Sequence, residues 1–355
     1  MKKMRKLLVL GLTLAMAFSL VACGNKSSSS SSAAASSAAG SQSSAPIELK
    51  FPHVFSSSSN QAKWANWIAD TVKERTNGGL IIRTYADSQL GDETEVIPKI
   101  ISGEFAMGMH EGSAWADAFN QQQFGVYGLP YLCTTYDGMK KIGMDILPDS
   151  FNKMLTDAGC TDVIAFAPIS QGIRSVFTTK TPVRTAEDLK GLKIRTAPAA
   201  LYVSAVKSLG CVPTPIPLSE AYTSLAQGVV DGIENDPGTI MSMNMQEVLK
   251  YYTPTNHLAS FNIICVNRAV FEALPEEYQS ILRDTIISGC SQQFDDCAAE
   301  NAAYLDKMQQ AGIEIIDFPA DELAKLRANA KPLQDEYAQK YNLGDLINQM
   351  VAVDQ

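Results

Sequence analysis

The stretch LKGLKIR, residues 189–195, opens the part of the chain that decides the fold. It predicts a short strand that ends at Arg195. A helix at residues 199–209 and a second strand at residues 211–215 are predicted to follow it. An arginine at a strand end, together with Asn235 from a later turn, suits bidentate binding of a carboxylate, because the guanidinium is planar and always charged. On spacing alone, a surface arginine that merely follows a strand is the alternative.

Three motifs in this region carry a resemblance to a known family. They are DLKGLKIR at residues 188–195, PIPLSEAYTSL at residues 215–225 and GVVDGIEN at residues 228–235. With them the chain resembles the substrate-binding proteins of TRAP transporters, the DctP-like family, over nearly all of its length from residue 46. The resemblance implies a two-lobed clamp of the periplasmic-binding-protein (Venus-flytrap) type. Such a clamp captures a small organic acid and hands it to the TRAP permease in the membrane, and it is not an enzyme.

Strand and helix signals alternate along the chain, which predicts an α/β fold. Strand-like runs at residues 47–54 and 80–85 flank a helix at residues 61–75. Strands separated by helices of this length are typical of βαβ units with parallel sheets. Residues 275–310 predict one helix about 50 Å long at the usual rise per residue. The resemblance implies that this long helix spans both lobes.

The chain is long enough for two lobes. Of its 355 residues, 310 follow position 45, which exceeds what one hydrophobic core usually supports. A second sheet is predicted to begin with strands at residues 161–167 and 172–178. We expect a signal peptide at residues 1–22 and a tether, which begins with the lipidated cysteine, at residues 23–45. Lobe I is expected to consist of residues 46–171 and 262–300, and lobe II of residues 172–261 and 301–355.

The N-terminus predicts a lipoprotein signal. Residues 1–6 carry four basic side chains, residues 7–20 are apolar, and LVAC at residues 20–23 is similar to a lipobox. This order is typical of a cleaved signal peptide, and the polar tract that follows disfavours the alternative of a membrane-spanning helix. We therefore expect Cys23 to be lipidated and to anchor an extracytoplasmic protein to the cell membrane. The Ser/Ala tract at residues 24–45 predicts a flexible tether.

Composition argues against several partners. A net charge of −9 and a pI near 5.0 provide no basic surface for nucleic acid. The chain has no C-x-x-C pair, and its three histidines lie far apart in sequence, so neither a metal site nor a cofactor is expected. Cys290 and Cys297 would lie roughly 10 Å apart on the predicted helix, too far for a disulfide. We expect buried free thiols and a monomeric protein.

Eight residues are candidate ligand contacts. The carboxyl ends of strands line the binding sites of such sheets, which singles out Arg174 and Glu111. The resemblance implies that Arg174 lies beside Arg195 at the pocket. Judged from the residues alone, without the resemblance, Arg174 is interpreted as a surface arginine. The two cations would repel each other unless an anion lies between them. We interpret His257 as a packed histidine near the hinge. The candidate contacts are Arg195, Arg174, Asn235, Glu111, Glu93, Asp236, Leu218 and His53.

The resemblance leaves a choice of ligand between sugar acids and C4-dicarboxylates. Keto and hydroxy acids are less favoured ligands. RSVFT at residues 174–178 and END at residues 234–236 are similar to motifs of the uronate-binding branch. Carboxylates in a pocket wall accept hydrogen bonds from hydroxyls and repel a second ligand carboxylate. A sugar acid such as a uronate is therefore the preferred ligand. Leu218 stands where some relatives have an aromatic residue, which puts a stacking platform for the sugar in doubt.

Two other classes of function remain as alternatives. SFNK at residues 150–153 matches the S-x-x-K motif of serine acyltransferases, but the S-D-N and K-T-G partners are missing. A secreted hydrolase, the less favoured alternative, predicts turnover of its substrate. A structural lipoprotein predicts no thermal shift with any small molecule.

Overall fold

This computed structural model describes residues 45–354, and these residues include nine strands and twelve α-helices. The strands are β1 (Ile47–Pro52), β2 (Leu80–Tyr85), β3 (Met107–Glu111), β4 (Val163–Thr178), β5 (Lys193–Thr196), β6 (Val212–Pro215), β7 (Gly232–Asn235), β8 (Tyr251–Asn267) and β9 (Glu314–Ile315). The helices are α1 (Asn60–Arg75), α2 (Glu93–Ile101), α3 (Gly112–Phe119), α4 (Tyr136–Lys141), α5 (Leu147–Asp157), α6 (Ala200–Ser208), α7 (Ala221–Ala226), α8 (Pro237–Ser242), α9 (Arg268–Glu272), α10 (Glu276–Gln310), α11 (Ala320–Lys340) and α12 (Gly344–Asp354). The predicted signal peptide and Cys23 lie outside the described residues.

The two longest strands, β4 and β8, pair antiparallel along almost their whole length. Their register runs from Val163 opposite Asn267 to Thr178 opposite Tyr251. In the seven-stranded sheet the order is β3-β8-β4-β7-β5-β6, and β9 pairs with β8. The strand β3 therefore flanks one end of the long pair, and β7 flanks the other end. The strands β1 and β2 form a separate parallel pair.

The prediction of parallel sheets is correct in part. The pairs β1–β2, β5–β6 and β5–β7 are parallel, but β3–β8, β4–β7 and β4–β8 are antiparallel. The prediction of two strands at residues 161–167 and 172–178 is wrong, because the chain continues through β4 without a break. The pairing register of β4 with β8 shifts at three places, between Ala165 and Ala167, between Ser170 and Gly172, and between Arg174 and Val176. Gly172, with φ of 116°, lies at the second shift, where the backbone conformation favours glycine.

The helices begin at well-formed caps. Ser59 accepts a hydrogen bond from the backbone N–H of Ala62 and starts α1. Asp92 and Glu95 form a reciprocal capping box at the start of α2, which satisfies backbone N–H groups that would otherwise lack partners. This cap places Glu93 at the first residue of α2.

The helix α10 confirms the prediction of one long helix. Its 35 residues span about 52 Å at 1.5 Å per residue. Leu282 and Ile286 pack in the apolar cluster under β1 and β2. Phe294 joins a second cluster that includes residues of α5, and Met308 joins a third around β7. The helix thus joins three separately packed parts of the core. The lobe boundaries remain a prediction.

Candidate functional site

Six of the eight candidate residues line one cavity, which we call the central cavity. The empty space between its walls, including the part that is open to solvent, is about 500 Å³. The six residues are Arg195, Arg174, Asn235, Glu111, Glu93 and Leu218. The remaining lining residues are Val54, Phe55, Ser88, Asp92, Gln171, Ala197, Pro198, Pro217 and Asn262.

Arg195 is a buried cation with no carboxylate partner in the described part of the chain. Its side chain lies near the end of β5, and the residue is only 2% exposed. Within residues 45–354 no carboxylate forms an ion pair with it, and its one hydrogen bond is from Nε to the carbonyl oxygen of Ile216, at 2.9 Å. Burial lowers the pKa of Arg195 to about 10, and the negative charge of Glu234 offsets this only in part. An anion brought into the central cavity would stabilise this guanidinium.

Arg174 is paired within the protein instead. Its Nε lies 2.6 Å from Oε2 of Glu234, and one terminal nitrogen donates to Oε1 of the same carboxylate at 2.9 Å. Thr196 adds a third hydrogen bond, from Oγ1 to Oε1 of Glu234, at 2.9 Å. Burial alone would raise the pKa of Glu234, but Arg174 and its hydrogen bonds hold it at about 2. Glu234 is therefore the anion that allows the two arginines to lie close together.

His257 lies behind this ion pair and not in the cavity wall. Its Nε2 is 3.5 Å from Oε2 of Glu234, and its Nδ1 is 2.9 Å from Oγ1 of Thr255. The side chain is fully buried. This position agrees with the interpretation of His257 as a packed histidine. The group that it packs against is the buried ion pair of Arg174 and Glu234.

The opposite wall of the cavity is acidic. Glu111 is buried, accepts a short hydrogen bond from Ser260, and lies 3.6 Å from a terminal nitrogen of Arg174. Burial raises the pKa of Glu111 to about 7; Arg174 opposes this rise, and the nearby Glu93 reinforces it. Oε1 of Glu93 is 3.5 Å from Nδ1 of His110. Carboxylate oxygens, which can accept hydrogen bonds, therefore line the same cavity as Arg195.

Three side-chain amides line the cavity, those of Gln171, Asn235 and Asn262, and only Asn235 was predicted from the sequence. Nε2 of Gln171 donates to Oδ1 of Asn235 at 2.8 Å, and Oε1 of Gln171 accepts from Ser260 and Asn262 at 2.9 and 3.3 Å. Among the described residues, no acceptor is bonded to Nδ2 of Asn235, so this group can donate to a ligand. Gln171 lies three residues before the predicted contact Arg174, and this closeness is the sequence signal by which it could have been found.

Asp236 and His53 lie outside the central cavity. The carboxylate of Asp236 caps α8, because its oxygens accept from the backbone N–H and Oγ1 of Thr239 at 2.9 and 2.7 Å. His53 packs between Phe51 and Phe55, with ring centroids 6.2 and 6.1 Å away. Burial lowers its pKa to about 4, with a further contribution from His110. The contacts of these two residues do not support the prediction that they bind ligand.

The apolar part of the wall includes an aromatic residue that the sequence analysis missed. Leu218 lines the cavity beside Pro217, and Phe55 lines it from the end of β1. Phe55 is 3% exposed, so its ring is held in place by packing. Phe55 is therefore an aromatic residue of the cavity wall, whereas position 218 is a leucine.

The structure also bears on possible metal sites, disulfides, membrane spans and the S-x-x-K match. Within residues 45–354 no group of three or more metal-binding side chains occurs, and the six described cysteines are unpaired, five of them buried. No helix in that range has the length and apolar character needed to cross a bilayer. Lys153 of the S-x-x-K match pairs with Asp157 at 2.5 Å, while the hydroxyl of Ser150 donates to the carbonyl oxygen of Ile146. The geometry expected of a serine–lysine pair is therefore not formed.

Comparison with known proteins identifies the family. Residues 51–340 match the model of the family described as bacterial extracellular solute-binding protein, family 7, or DctP. The chain is 27% identical over 296 residues to the C4-dicarboxylate-binding periplasmic protein DctP of Rhodobacter capsulatus, which covers 83% of this chain and 87% of that protein.

Solved structures agree with this match. The chain resembles a TRAP periplasmic solute binding protein of Xanthobacter autotrophicus with bound β-D-galacturonate, with a TM-score of 0.78. It also resembles one of Chromohalobacter salexigens with bound D-glucuronate, with a TM-score of 0.79. Each is 26% identical, and the match covers 86% of this chain and 99% of the other. The predicted periplasmic-binding-protein fold and the resemblance to TRAP solute-binding proteins are confirmed, and so is the expectation that the protein is a transport component and not an enzyme. The chain belongs to the DctP family of bacterial extracellular solute-binding proteins, family 7.

Proposed function

We propose that this protein captures a small organic acid by its carboxylate at Arg195 and delivers it to a TRAP permease. The observation that carries the proposal is the buried guanidinium of Arg195, which lines the central cavity and has no carboxylate partner in the described chain. A planar guanidinium with free terminal nitrogens matches a carboxylate bidentately. Arg174 has its own partner in Glu234, so the cavity provides one such site and not two.

A sugar acid such as a uronate is the ligand class that the rest of the wall favours. Glu111, Glu93 and the amide oxygens can accept hydrogen bonds from hydroxyls, and the charge of the Glu93 carboxylate disfavours a second carboxylate on the ligand. Phe55 offers an apolar surface to a sugar ring. Two relatives of the same fold carry bound uronates, which supports this choice. A C4-dicarboxylate, the ligand named for the Rhodobacter relative, is the alternative.

The predicted lobes support a clamp mechanism. Glu111, Glu93 and Phe55 belong to predicted lobe I, whereas Arg195 and Asn235 belong to predicted lobe II, and all of them line the central cavity. We propose that the ligand joins the two walls through contacts that exist only when the lobes are closed. Differential contacts of this kind are what shift a conformational equilibrium.

A ligand panel tests the function. Thermal unfolding and calorimetry with D-glucuronate, D-galacturonate, succinate and malate are expected to show binding of the uronates without turnover. At a ligand concentration of about 100 Kd, the folded state gains roughly 2.7 kcal/mol. Scattering with saturating uronate should show a smaller radius of gyration. Binding of succinate tighter than either uronate would favour the C4-dicarboxylate alternative, and no binding of any acid would contradict the proposal.

We further propose that the mature protein is attached to the membrane through lipid on Cys23. The basic start, the apolar run and the lipobox-like LVAC at residues 20–23 support this proposal. Mass spectrometry of the mature N-terminus is expected to find Cys23 as the first residue and acylated. The Cys23→Ala variant should appear in the soluble fraction. A mature chain beginning elsewhere, or a variant that still partitions wholly with membranes, would contradict the anchor.

A further inference from the structure

Glu111 lies at one end of a buried hydrogen-bond network whose direction is fixed at its other end. The backbone N–H of Asp236 can only donate, and it lies 3.0 Å from Oδ1 of Asn235. Nε2 of Gln171 donates to the same oxygen at 2.8 Å and to Oγ1 of Thr239 at 3.0 Å. Both hydrogens of the Gln171 amide nitrogen are therefore used, and the amide oxygen has to act as the acceptor on its other side.

Ser260 connects Gln171 to Glu111. Its Oγ lies 2.9 Å from Oε1 of Gln171 and is also hydrogen-bonded to Oε1 of Glu111. A hydroxyl group has one hydrogen, so it cannot donate to both oxygens. When Glu111 is ionised, Ser260 donates to it, and Oε1 of Gln171 keeps only the bond from Asn262 at 3.3 Å. When Glu111 carries a proton, it donates to Ser260 instead, and Ser260 donates to Gln171. The protonated form therefore satisfies this buried network better.

The groups around Glu111 leave it free to titrate near neutral pH. Arg174 lies 3.6 Å from Glu111 but donates to Glu234 at 2.6 and 2.9 Å, so its charge is already matched. Burial raises the pKa of Glu111 to about 7 in spite of Arg174, and Glu93 reinforces the rise. The ionisable groups around Glu111 include Arg174 of β4, Arg195 of β5, Glu234 of β7, Glu93 of α2 and Tyr202 of α6.

We propose that Glu111 takes up a proton when the protein captures an organic anion, so that the acid and the proton bind together. The proposal rests on the proposed function, because the anion is the one held at Arg195. With Glu111 ionised, the guanidinium groups of Arg174 and Arg195 are matched by Glu111 and Glu234, and a ligand carboxylate adds an unmatched buried charge. With Glu111 protonated, the two guanidinium groups are matched by Glu234 and the ligand. Glu93 is partly exposed, so water screens its charge.

The size of the coupling follows from Coulomb's law. Two like charges about 10 Å apart, at an effective dielectric constant near 20, change an equilibrium constant on the order of tenfold, so the bound anion should raise the pKa of Glu111 by about one. From a starting pKa of about 7, the protein should take up about half a proton per ligand at pH 7.5 and less than about 0.1 at pH 5.5. Because the complex has the higher pKa, affinity is greatest at acid pH, and Kd should rise about sevenfold from pH 6 to pH 8.5.

Calorimetry in buffers of different ionisation enthalpy counts the protons. D-Glucuronate, or the tightest acid of the ligand panel, is titrated in HEPES and Tris at pH 7.5 and in MES and bis-Tris at pH 5.5, none of which carries a carboxylate. Glu111→Gln preserves the shape of the side chain, and its amide can still donate to Ser260. This variant should take up no proton and should bind about sevenfold more tightly than the wild type at pH 8.5. Glu277→Gln, at an exposed position of α10, is the matched control and should behave like the wild type.

The outcomes separate this inference from the proposed function. Acid binding without proton uptake by the wild type at pH 7.5 would overturn the inference and leave the proposed function standing. Undiminished uptake in Glu111→Gln would also overturn it, because the proton would then bind to another group such as Glu93. If Glu111→Gln does not fold, the wild type decides the question through the difference in uptake between the two pH values. If no acid of the panel binds at either pH, the proposed function fails and the inference fails with it.

Discussion

Replacing Arg195 by alanine is expected to weaken binding of the best acid by about 30-fold to several thousand-fold. The range follows from a cost of roughly 2–5 kcal/mol for removing one partner of a buried, hydrogen-bonded charge pair, at 1.4 kcal/mol per tenfold change in Kd. Arg195→Lys should fail nearly as badly, because an ammonium cannot reproduce the planar pair of donors. Asn235→Ala should cost less, since it removes a neutral donor. Calorimetry on each folded variant measures these changes.

The same variant should lose less stability in the absence of ligand than a variant that breaks the buried Arg174–Glu234 pair. Burial lowers the pKa of Arg195 in the folded protein, so its charge is less favourable there than in the unfolded chain. The loss in the free energy of unfolding of Arg195→Ala is therefore expected to be smaller than that of Arg174→Ala. If this variant is folded and binds the acid within threefold of wild type, the assignment of Arg195 as the carboxylate site is wrong.

Replacing Arg174 by alanine is expected to affect mainly the stability of the protein, with a loss of roughly 3–5 kcal/mol in the free energy of unfolding. This is the usual cost of leaving a buried charge without its partner. Arg174 and Glu234 are both within 2% of full burial, and the variant would leave the Glu234 carboxylate with hydrogen bonds but no close guanidinium. Denaturant unfolding at neutral pH measures the loss.

Two further variants make the stability test specific. Arg268 pairs with Glu272 at 3.6 Å on the surface, so Arg268→Ala should cost less than about 1 kcal/mol. The double variant Arg174→Met with Glu234→Gln removes both charges and should recover part of the stability lost by Arg174→Ala. A cost for Arg174→Ala no larger than that for Arg268→Ala would show that the buried pair does not stabilise the fold.

The sequence was most informative where local patterns decide the outcome. The motif at residues 188–195 placed Arg195 near a strand end, and the uninterrupted pattern at residues 275–310 gave α10 within one residue at its start. Helical periodicity and strand-end motifs depend on neighbouring residues, so a single sequence contains them.

Contacts between distant residues were harder to predict. Glu234 lies 60 positions from Arg174, and nothing in the local sequence distinguishes a carboxylate that pairs within the protein from one that faces a ligand. Pro168 and Gly172 resemble strand breaks, but β4 continues through them because β8 supplies a partner along its whole length. Asp236 looked like a ligand contact by its position beside Asn235, and its cap to Thr239 depends on how α8 begins.

The pairing of β4 with β8 has a consequence for the order in which the chain can fold. The strand β3 forms its ladder with β8, and side chains of β8 enter the clusters around β1, α5 and β7. Residues 251–267 therefore have to leave the ribosome, and if the leader is a secretion signal also cross the membrane, before any of these clusters is complete. Until then β4 presents an unpaired edge of hydrogen-bonding groups, the kind of surface that recruits other chains. Long-range pairing of this kind slows folding, so the interval before β8 arrives is when the polypeptide most needs protection from aggregation.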